Sequence, residues 1–402
     1  EDEGYQDAYQ AALDAYYSQV QEKVKAARAA YDALTEEQKA AFDATVLAKL
    51  TALEELIAMR EQADVLPEDA VTIIDSSISN ETFNIGENQA IVVKGSADSI
   101  TTISDSTFNL SGTTIYINGS GVGYTGETST KMGIGDNVLF KNCAINVLSG
   151  QSANYSSGNH SAIGLFGKAN FENCTITVSD WTGHGIGFYG DANVTFTESS
   201  LSSDGVKGAW SYAMYGSSVL TLDSSSMSAT NMEPISGNIN AFYSGDLKNN
   251  YDAIYIKNHS SVHFYENKGG GFAINSINIH VDDSEILVEN NNGSASNSGY
   301  WYVNDSTLNM NNNFYHGLSA EALFANRSNI ILDKNGYYGA QLRHGFIIDG
   351  DTSLQVTGNS YNFDCAGLKL TAGVTNGLVE AGATVNITDN YCSGLSNNGV
   401  CE

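Results

Sequence analysis

Near the N-terminus the apolar residues recur every three or four positions, which is the period of an amphipathic α-helix. One apolar stripe runs over residues 5–34 and a second over residues 42–56. Thr35, followed three residues later by Gln38, fits a capping box that starts the second helix. Because almost no loop separates the stripes, they predict an antiparallel helical hairpin over residues 1–67, as a spacer or an N-terminal cap.

From about residue 70 the pattern changes to alternation of apolar and polar positions in short segments bounded by Gly, Asn and Asp. A unit of strand, turn and strand then recurs along the chain. Ala162–Gly167 leads to Phe171–Ile176, for example, and Gly185–Gly190 leads to Val194–Phe196. Such self-similarity is typical of a solenoid, in which each repeat packs on the next.

Asparagines that end the second strand of each unit mark the register, with a spacing near 23 residues. That spacing fits one coil of a three-stranded parallel solenoid, whose coils stack about 4.8 Å apart. We expect these asparagines to occupy a left-handed bend and to bond from coil to coil as a ladder. The predicted ladder consists of Asn267, Asn290, Asn313, Asn335, Asn359 and Asn390.

The predicted fold is therefore mainly β: residues 68–402 form a right-handed, single-stranded parallel β-helix. This repeat resembles the pectate-lyase-like superfamily, and the resemblance implies an architecture but no particular activity. Residues 30–40, AYDALTEEQKA, resemble a helical motif of secreted, multidomain surface proteins of Gram-positive gut bacteria, where it acts as a spacer. That second resemblance implies an extracellular, secreted or cell-surface location.

Charge and cysteine content narrow the possible partners. The 402 residues carry a formal charge of −28, which repels phosphate backbones and argues against nucleic-acid binding. The sequence has no apolar run long enough for membrane insertion. Cys143 and Cys174 occupy equivalent places in the repeat and are expected to stack inside it. Cys392 and Cys401 are a candidate disulfide, with Cys365–Cys392 as the competing pairing.

Aromatic residues supply the candidate binding positions. Tyr300-Trp301-Tyr302 places rings on both sides of one predicted strand, and the over-long segment 228–251 is predicted to project as a loop. Rings beside amides and carboxylates suit sugars, whose C–H patches stack on rings while their hydroxyls form hydrogen bonds. The candidates are Tyr243, Tyr251, Asp252, Tyr300, Trp301 and Tyr302; ordinary surface ladders are the alternative explanation.

Catalysis is weakly supported. The tripeptide at residues 183–185 resembles the Gly-His-Gly motif of polygalacturonases, but the carboxylates and the Arg-Ile-Lys segment of that family have no counterpart in the expected order. We therefore assign no catalytic residue and no cofactor. Calcium is left open, because Asp349, Asp351 and Asp389 occur at turns although no EF-hand loop is present.

These observations favour an adhesin-like binding module that presents the solenoid face and inserted loops to glycans or surface proteins of a host or neighbouring cell. Two alternatives stay open. One is a polysaccharide lyase or glycoside hydrolase of the β-helix type. The other is a structural stalk or a phage-type fibre.

Overall fold

The structure is a computed structural model, and the chain divides into two compact units, one of residues 1–65 with 123–126 and one of the remainder. In the part of the chain that the structure describes, no helix combines the length and the apolarity needed to cross a bilayer. The described residues are 22–40, 42, 46–47, 49–51, 71–87, 89–95, 99–118, 137–151, 161–208, 210–233, 240–245, 251–274, 277–297, 299–359, 367–371, 377–390, 395–397 and 400–401.

The smaller unit is helical where it is described. Residues 22–32 are helical, a second helix spans Glu36–Ala40, and residues 46–47 and 49–51 are also helical. The capping box predicted at its start is present, because the Thr35 amide donates to Gln38 Oε1 (2.9 Å) and the Gln38 amide donates to Thr35 Oγ1 (3.3 Å). The complete hairpin and its boundary at residue 67 include residues outside the described ranges and stay predictions.

The larger unit is built from three stacks of parallel strands, which we call faces 1, 2 and 3. The chain visits the three faces in that order and then begins the next coil, so the strands form a closed ring and the fold is a parallel β-helix. Strands Ser161–Glu172, Thr175–Thr197, Leu318–Asn326 and Ala340–Ile348 continue round a corner and contribute to more than one face.

The strand bounds are as follows. Face 1 contains Val71–Ile74, Ala90–Val93, Thr114–Ile117, Tyr212–Tyr215, Asn240–Gly245, Gly270–Ile274, Ser296–Asn297, Leu368–Leu370 and Leu395–Asn397. Face 2 contains Ile78–Ser79, Thr101–Ser104, Asn137–Lys141, Val219–Asp223, Tyr251–Lys257, Ile277–Asp282, Tyr300–Asn304 and Gly377–Val379. Face 3 contains Thr82–Ile85, Thr107–Ser111, Ala144–Gln151, Ser200–Asp204, Ser226–Thr230, Ser261–Tyr265, Glu285–Glu289, Thr307–Asn311, Asn329–Asp333, Ser353–Thr357 and Thr384–Thr388. Two short strands complete the set: Lys207–Gly208 at a corner and Val400–Cys401, which pairs antiparallel with Leu395–Asn397.

We number the coils 1 to 12 by their strand on face 3, from Thr82–Ile85 in coil 1 to Thr384–Thr388 in coil 12. Alternation within each strand places every second side chain in the interior, as the burial pattern of Thr307–Asn311 shows. Inward residues of successive coils stack on one another. Phe171, for example, lies 4.9 Å from Phe140 and 4.7 Å from Phe196 between ring centroids.

The predicted asparagine ladder is present at the corner between faces 3 and 1, with one residue corrected. Asn267 donates from its side-chain amide to Oδ1 of Asn291 (2.9 Å), and Asn291 donates in turn to Asn313 (3.0 Å). The ladder continues through Asn335, Asn359 and Asn390. Asn290 is not a rung, because its side chain is exposed and pairs instead with Asn312 in an outer row.

The expected left-handed bend also lies one residue earlier than predicted. The residue before each ladder asparagine has positive φ: Glu266, Asn290, Asn312, Lys334, Gly358 and Asp389. The asparagine that follows the bend points inward. It donates to a carbonyl of the preceding coil and accepts from the backbone of that coil, as Asn291 does with Phe264 O (3.0 Å) and the Asn267 amide (3.0 Å). The bend turns the chain, and the next side chain fills the corner.

A second ladder, which the sequence analysis identified only at its two cysteines, follows the corner between faces 2 and 3. Cys143 and Cys174 are buried free thiols, as predicted. Hydroxyl residues continue their file, and each accepts a hydrogen bond from a backbone amide of the preceding coil. The members are Ser106, Ser199, Ser225, Ser260, Ser284, Ser306, Ser328 and Thr352.

The predicted disulfide cannot be placed. Cys365 and Cys392 lie outside the described residues, and of Cys401 only the backbone is described, opposite Ser396. The bridge stays a prediction.

Candidate functional site

The Tyr-Trp-Tyr segment predicted to bind ligand lies on face 2 of coil 9. Tyr300 and Tyr302 point outward and are partly exposed, whereas Trp301 is fully buried. Trp301 contacts Phe272 edge to face at 5.5 Å and continues the inward row of Leu323. Its interior position removes Trp301 from the surface candidates, because neighbouring residues of a strand point to opposite sides.

Tyr302 belongs to a column of parallel rings that we call the ring column. Tyr255, His280, Tyr302 and Phe324 stack across coils 7 to 10 with centroid separations of 5.1, 4.8 and 4.9 Å. At these separations the two middle rings, His280 and Tyr302, have both faces covered by their neighbours and present their edges to solvent. A sugar that stacks needs an exposed ring face, so the column is better suited to holding coils together.

Asp252 lies beside the ring column. Its Oδ1 accepts from Asn278 Nδ2 (2.6 Å) and contacts His280 Nε2 (2.9 Å). The Asn278 hydrogen bond, followed by that of His280, lowers the pKa of Asp252. Burial raises the pKa of Tyr302, and the charge of Asp252 and nearby Tyr300 add to that effect. The structure therefore brings Asp252, Tyr300 and Tyr302 of the predicted set together.

Of the two remaining candidates, Tyr243 does not join this group. Tyr243 lies on face 1 of coil 7, in strand Asn240–Gly245, within the segment expected to be a loop. Its ring stacks on Trp210 at 3.9 Å, and Trp210 stacks on His184 at 4.9 Å. His184 is 1% exposed and lies within the strand Thr175–Thr197, paired with Ser161. Tyr251 begins a strand on face 2, and its side chain lies outside the described part.

Five aromatic side chains that the sequence analysis did not select lie at the corner between faces 3 and 1, where coil 9 leads to coil 10 and coil 10 to coil 11. We call Phe314, Tyr315, His316, Tyr337 and Tyr338 the aromatic corner. Phe314 and Tyr315 meet edge to face at 4.9 Å and are 40% and 36% exposed. His316 stacks on Tyr338 at 5.4 Å, and Tyr337 meets both rings edge-on. Phe314 and Tyr315 are therefore exposed, whereas the four rings of the ring column are only partly exposed.

A sequence signal for this corner exists once the true ladder asparagines are known. Residues 313–317 are Asn-Phe-Tyr-His-Gly and residues 335–339 are Asn-Gly-Tyr-Tyr-Gly, each beginning with a ladder asparagine. The Tyr337 amide donates to Tyr315 O (2.9 Å), so the two segments stack in register. A Cβ on Gly339 would come within 2.5 Å of a Val356 methyl group, so glycine lets this turn lie against the next coil.

Lys369, on face 1 of coil 12, contacts the aromatic corner. Its Nζ donates to the Tyr338 hydroxyl (2.9 Å) and lies 4.6 Å from the centre of that ring. Burial lowers the pKa of His316 to about 4, and the positive charges of Lys369 and Arg343 contribute further. His316 is therefore neutral near pH 7. The positive charges of both Lys369 and Arg343 are felt at its ring.

The corner between faces 1 and 2 of coils 10 and 11 carries a charged group that we call the charged corner. Glu321 Oε1 pairs with Arg343 Nη1 (2.6 Å), and Glu321 Oε2 pairs with His344 Nε2 (3.0 Å). The Glu321 side chain is 14% exposed, whereas those of Arg343 and His344 are 38% and 63% exposed. One carboxylate is thus shared between two basic groups, and both of its oxygens are occupied.

Face 1 connects the two corners. Gln341 and Lys369 occupy one file in coils 11 and 12, in register with the buried Ser319 of coil 10, and we call these three residues the polar file. The strand segments here are three residues long, so roughly 10 Å separates the corners. The aromatic corner, polar file and charged corner together form what we call the coil 9–12 surface. It combines exposed rings, hydroxyl and amide groups, and cationic N–H donors.

Two observations at the described residues bear on metal binding. Among them, no group of three or more His, Cys, Asp or Glu side chains is arranged to hold a metal ion. Asp349, one of the residues considered for calcium, accepts from the Arg327 amide (3.0 Å) and from Thr352 Oγ1 (2.9 Å), as a turn-capping residue does.

Comparisons with known proteins assign no family. No family model matches the chain, and no curated protein matches it. The A-module of a mannuronan C-5 epimerase from Azotobacter vinelandii is 8% identical, with a TM-score of 0.26, covering 85% of this chain and 94% of that one. A hyperthermoactive exopolygalacturonase from Thermotoga maritima is 10% identical, with a TM-score of 0.20, covering 83% and 88%. Likenesses this weak assign no activity, and the parallel β-helix is established by the strand pairings.

Proposed function

We propose that this chain is a carbohydrate-binding module of the adhesin type, in which a rigid β-helix presents the coil 9–12 surface to glycans of a host or neighbouring cell. The observation that carries this proposal is the aromatic corner. Phe314 and Tyr315 expose ring area at right angles to each other, beside the hydroxyl of Tyr338 and the ammonium of Lys369. Sugar C–H patches stack on such rings while neighbouring polar groups bond the hydroxyls.

Rigidity supports the proposal. The corner is fixed by two ladder asparagines, Asn313 and Asn335, each 0% exposed and bonded to the coils on both sides. Rings that are already ordered lose little conformational entropy when a ligand binds, so even shallow contacts contribute to affinity.

A glycan array probed with the full chain tests this function. The best-bound glycan is then titrated calorimetrically against the wild type and against Tyr315→Ala and Phe314→Ala. We expect each substitution to weaken binding about tenfold, since a ring contact contributes on the order of 1.5 kcal/mol.

Tyr265→Ala is the matched control, because Tyr265 is a partly exposed tyrosine on face 3, packed on His263 at 4.3 Å. Its affinity should equal that of the wild type. An array without a bound glycan, or an equal loss in the control, would refute the proposal.

A second candidate is processing of acidic polysaccharides, the alternative enzyme function. One observation favours it: the Tyr300 ring lies parallel to His344, 6.3 Å away, and His344 bonds to Glu321 beside Arg343. Against hydrolysis, both Glu321 oxygens are held by bases, whereas glycoside hydrolysis requires two available carboxyl groups. Reducing ends or unsaturated products that appear with the wild type and disappear in Glu321→Gln would establish this candidate.

Several finer properties belong to the same proposal. We infer an extracellular location, a spacer role for residues 1–67, membership of the pectate-lyase-like superfamily, and right-handed winding, which parallel crossovers adopt almost without exception. A stalk need not associate, whereas the phage-type fibre alternative predicts a stable trimer. Mass measurement in solution distinguishes it, since a binding module of this kind needs no association.

A further inference from the structure

The coil 9–12 surface holds cationic groups in a chain that is otherwise strongly acidic. Lys369 donates to the neutral Tyr338 hydroxyl (2.9 Å), and among the described residues its Nζ forms no ion pair with a carboxylate. Other lysines of the β-helix, such as Lys141 and Lys257, do pair with a carboxylate of a neighbouring strand. A phenol hydroxyl carries no negative charge, so this contact does not neutralise the ammonium.

The second cation lies across the polar file. Arg343 shares the carboxylate of Glu321 with His344, so one negative charge faces two basic groups. The positive charges of Lys369 and Arg343 both contribute to the lowered pKa of His316. Gln341 lies next to Lys369 on face 1 and adds an amide to the same place.

We propose that the coil 9–12 surface binds a glycan through an anionic substituent, a carboxylate or a sulfate, held by Lys369 and Arg343 while the sugar ring packs on the aromatic corner. This inference rests on the proposed carbohydrate-binding function and specifies its ligand. Charge-assisted hydrogen bonds from lysine and arginine are the strong ones, and arginine matches planar or tetrahedral oxyanions.

The overall charge of −28 does not oppose this site at short range. At physiological ionic strength, exposed charges more than about 8 Å apart are largely screened. A bound anion therefore responds chiefly to nearby groups: Lys369, Arg343 and the Tyr338 hydroxyl favour it and Glu321 opposes it, so two cations face one carboxylate.

The test is an array on which each oligosaccharide backbone is present in a neutral, a carboxylated and a sulfated form. We expect the bound backbones to be recognised at least about tenfold more tightly in an anionic form, as one charge-assisted contact allows. The carboxylated and sulfated arms identify which oxyanion the site accepts.

Substitutions separate this inference from the function on which it rests. Lys369→Gln should remove most of the preference, so that the anionic and neutral forms bind with similar affinity, and Lys369→Arg should restore the preference. Lys141→Gln, an exposed lysine of coil 3, is the matched control. Tyr315→Ala should weaken neutral and anionic forms alike.

Equal affinity for neutral and anionic forms, or an unchanged preference in Lys369→Gln, would overturn the anionic ligand while leaving carbohydrate binding intact. No bound glycan in any form would overturn both. Circular dichroism of each variant shows that a lost preference is not a lost fold.

Discussion

The correction of the asparagine ladder from Asn290 to Asn291 gives a sharp prediction from two adjacent residues. Asn291 is 2% exposed, accepts from the amide and the side chain of Asn267 (3.0 and 2.9 Å), and donates to Phe264 O and Asn313 Oδ1 (both 3.0 Å). Asn291→Ala removes all four bonds. The Asn267 backbone amide is then buried without its acceptor, while Asn313 Oδ1 keeps the bond from the backbone of residue 291.

The expected loss follows from these contacts. An orphaned buried amide costs roughly 1–3 kcal/mol, and each remaining lost bond costs about 1 kcal/mol. We therefore expect Asn291→Ala to lower the free energy of unfolding by about 4–6 kcal/mol. Asn290→Gly is the control, since Asn290 is exposed with a φ of 56°. Glycine adopts that angle without steric cost, so the loss should stay within about 1 kcal/mol.

Stacked coils unfold in parts, so a single unfolding midpoint is not sufficient. Urea denaturation should therefore be combined with native-state hydrogen exchange of peptides from coils 7 to 9, which report local opening. Protection should fall there in Asn291→Ala and persist in Asn290→Gly. Comparable losses in the two variants, or a cost below about 1 kcal/mol for Asn291→Ala, would show that the inner ladder does not hold these coils.

Three other predictions follow from the interior and the corners. His316 has a pKa of about 4 in the folded chain against about 6.5 when unfolded, so as the pH falls the unfolded state binds the proton before the folded state does. The stability should therefore be full above pH 6.5 and fall towards pH 4. Urea midpoints of His316→Phe should show a smaller fall. Trp301→Ala should cost about 3–5 kcal/mol by calorimetry because it empties a core position, whereas Tyr302→Ala should cost much less. Cys143→Ser should change the free energy of unfolding by less than about 1.5 kcal/mol, since serines fill the equivalent positions of other coils. Cys143→Leu should destabilise the chain, because the larger side chain overpacks the corner. Equal denaturation curves for the two variants would contradict the ladder.

Much of the fold could be predicted because it depends on local periodicity. Alternation in short segments fixes which side chains point inward, and a repeat near 23 residues fixes a coil of three strands. The ladder was placed within one residue. The error arose where two asparagines are adjacent at residues 290 and 291, since composition cannot show which of them occupies the left-handed bend. Trp301 was misassigned because three consecutive aromatic residues do not show which side of the strand faces the interior.

The sequence by itself determined the coil, the interior rows and, in the small-residue ladder, the two stacked cysteines. Only the tertiary structure decided which residues of different coils meet. Lys369 lies 31 residues from Tyr338 yet contacts it, because the stack sets the two side chains in adjacent coils. The physical reason is that corner lengths vary from coil to coil. The pattern along one strand fixes which of its side chains point inward. Which residues of two coils lie side by side depends on the length of every turn between them.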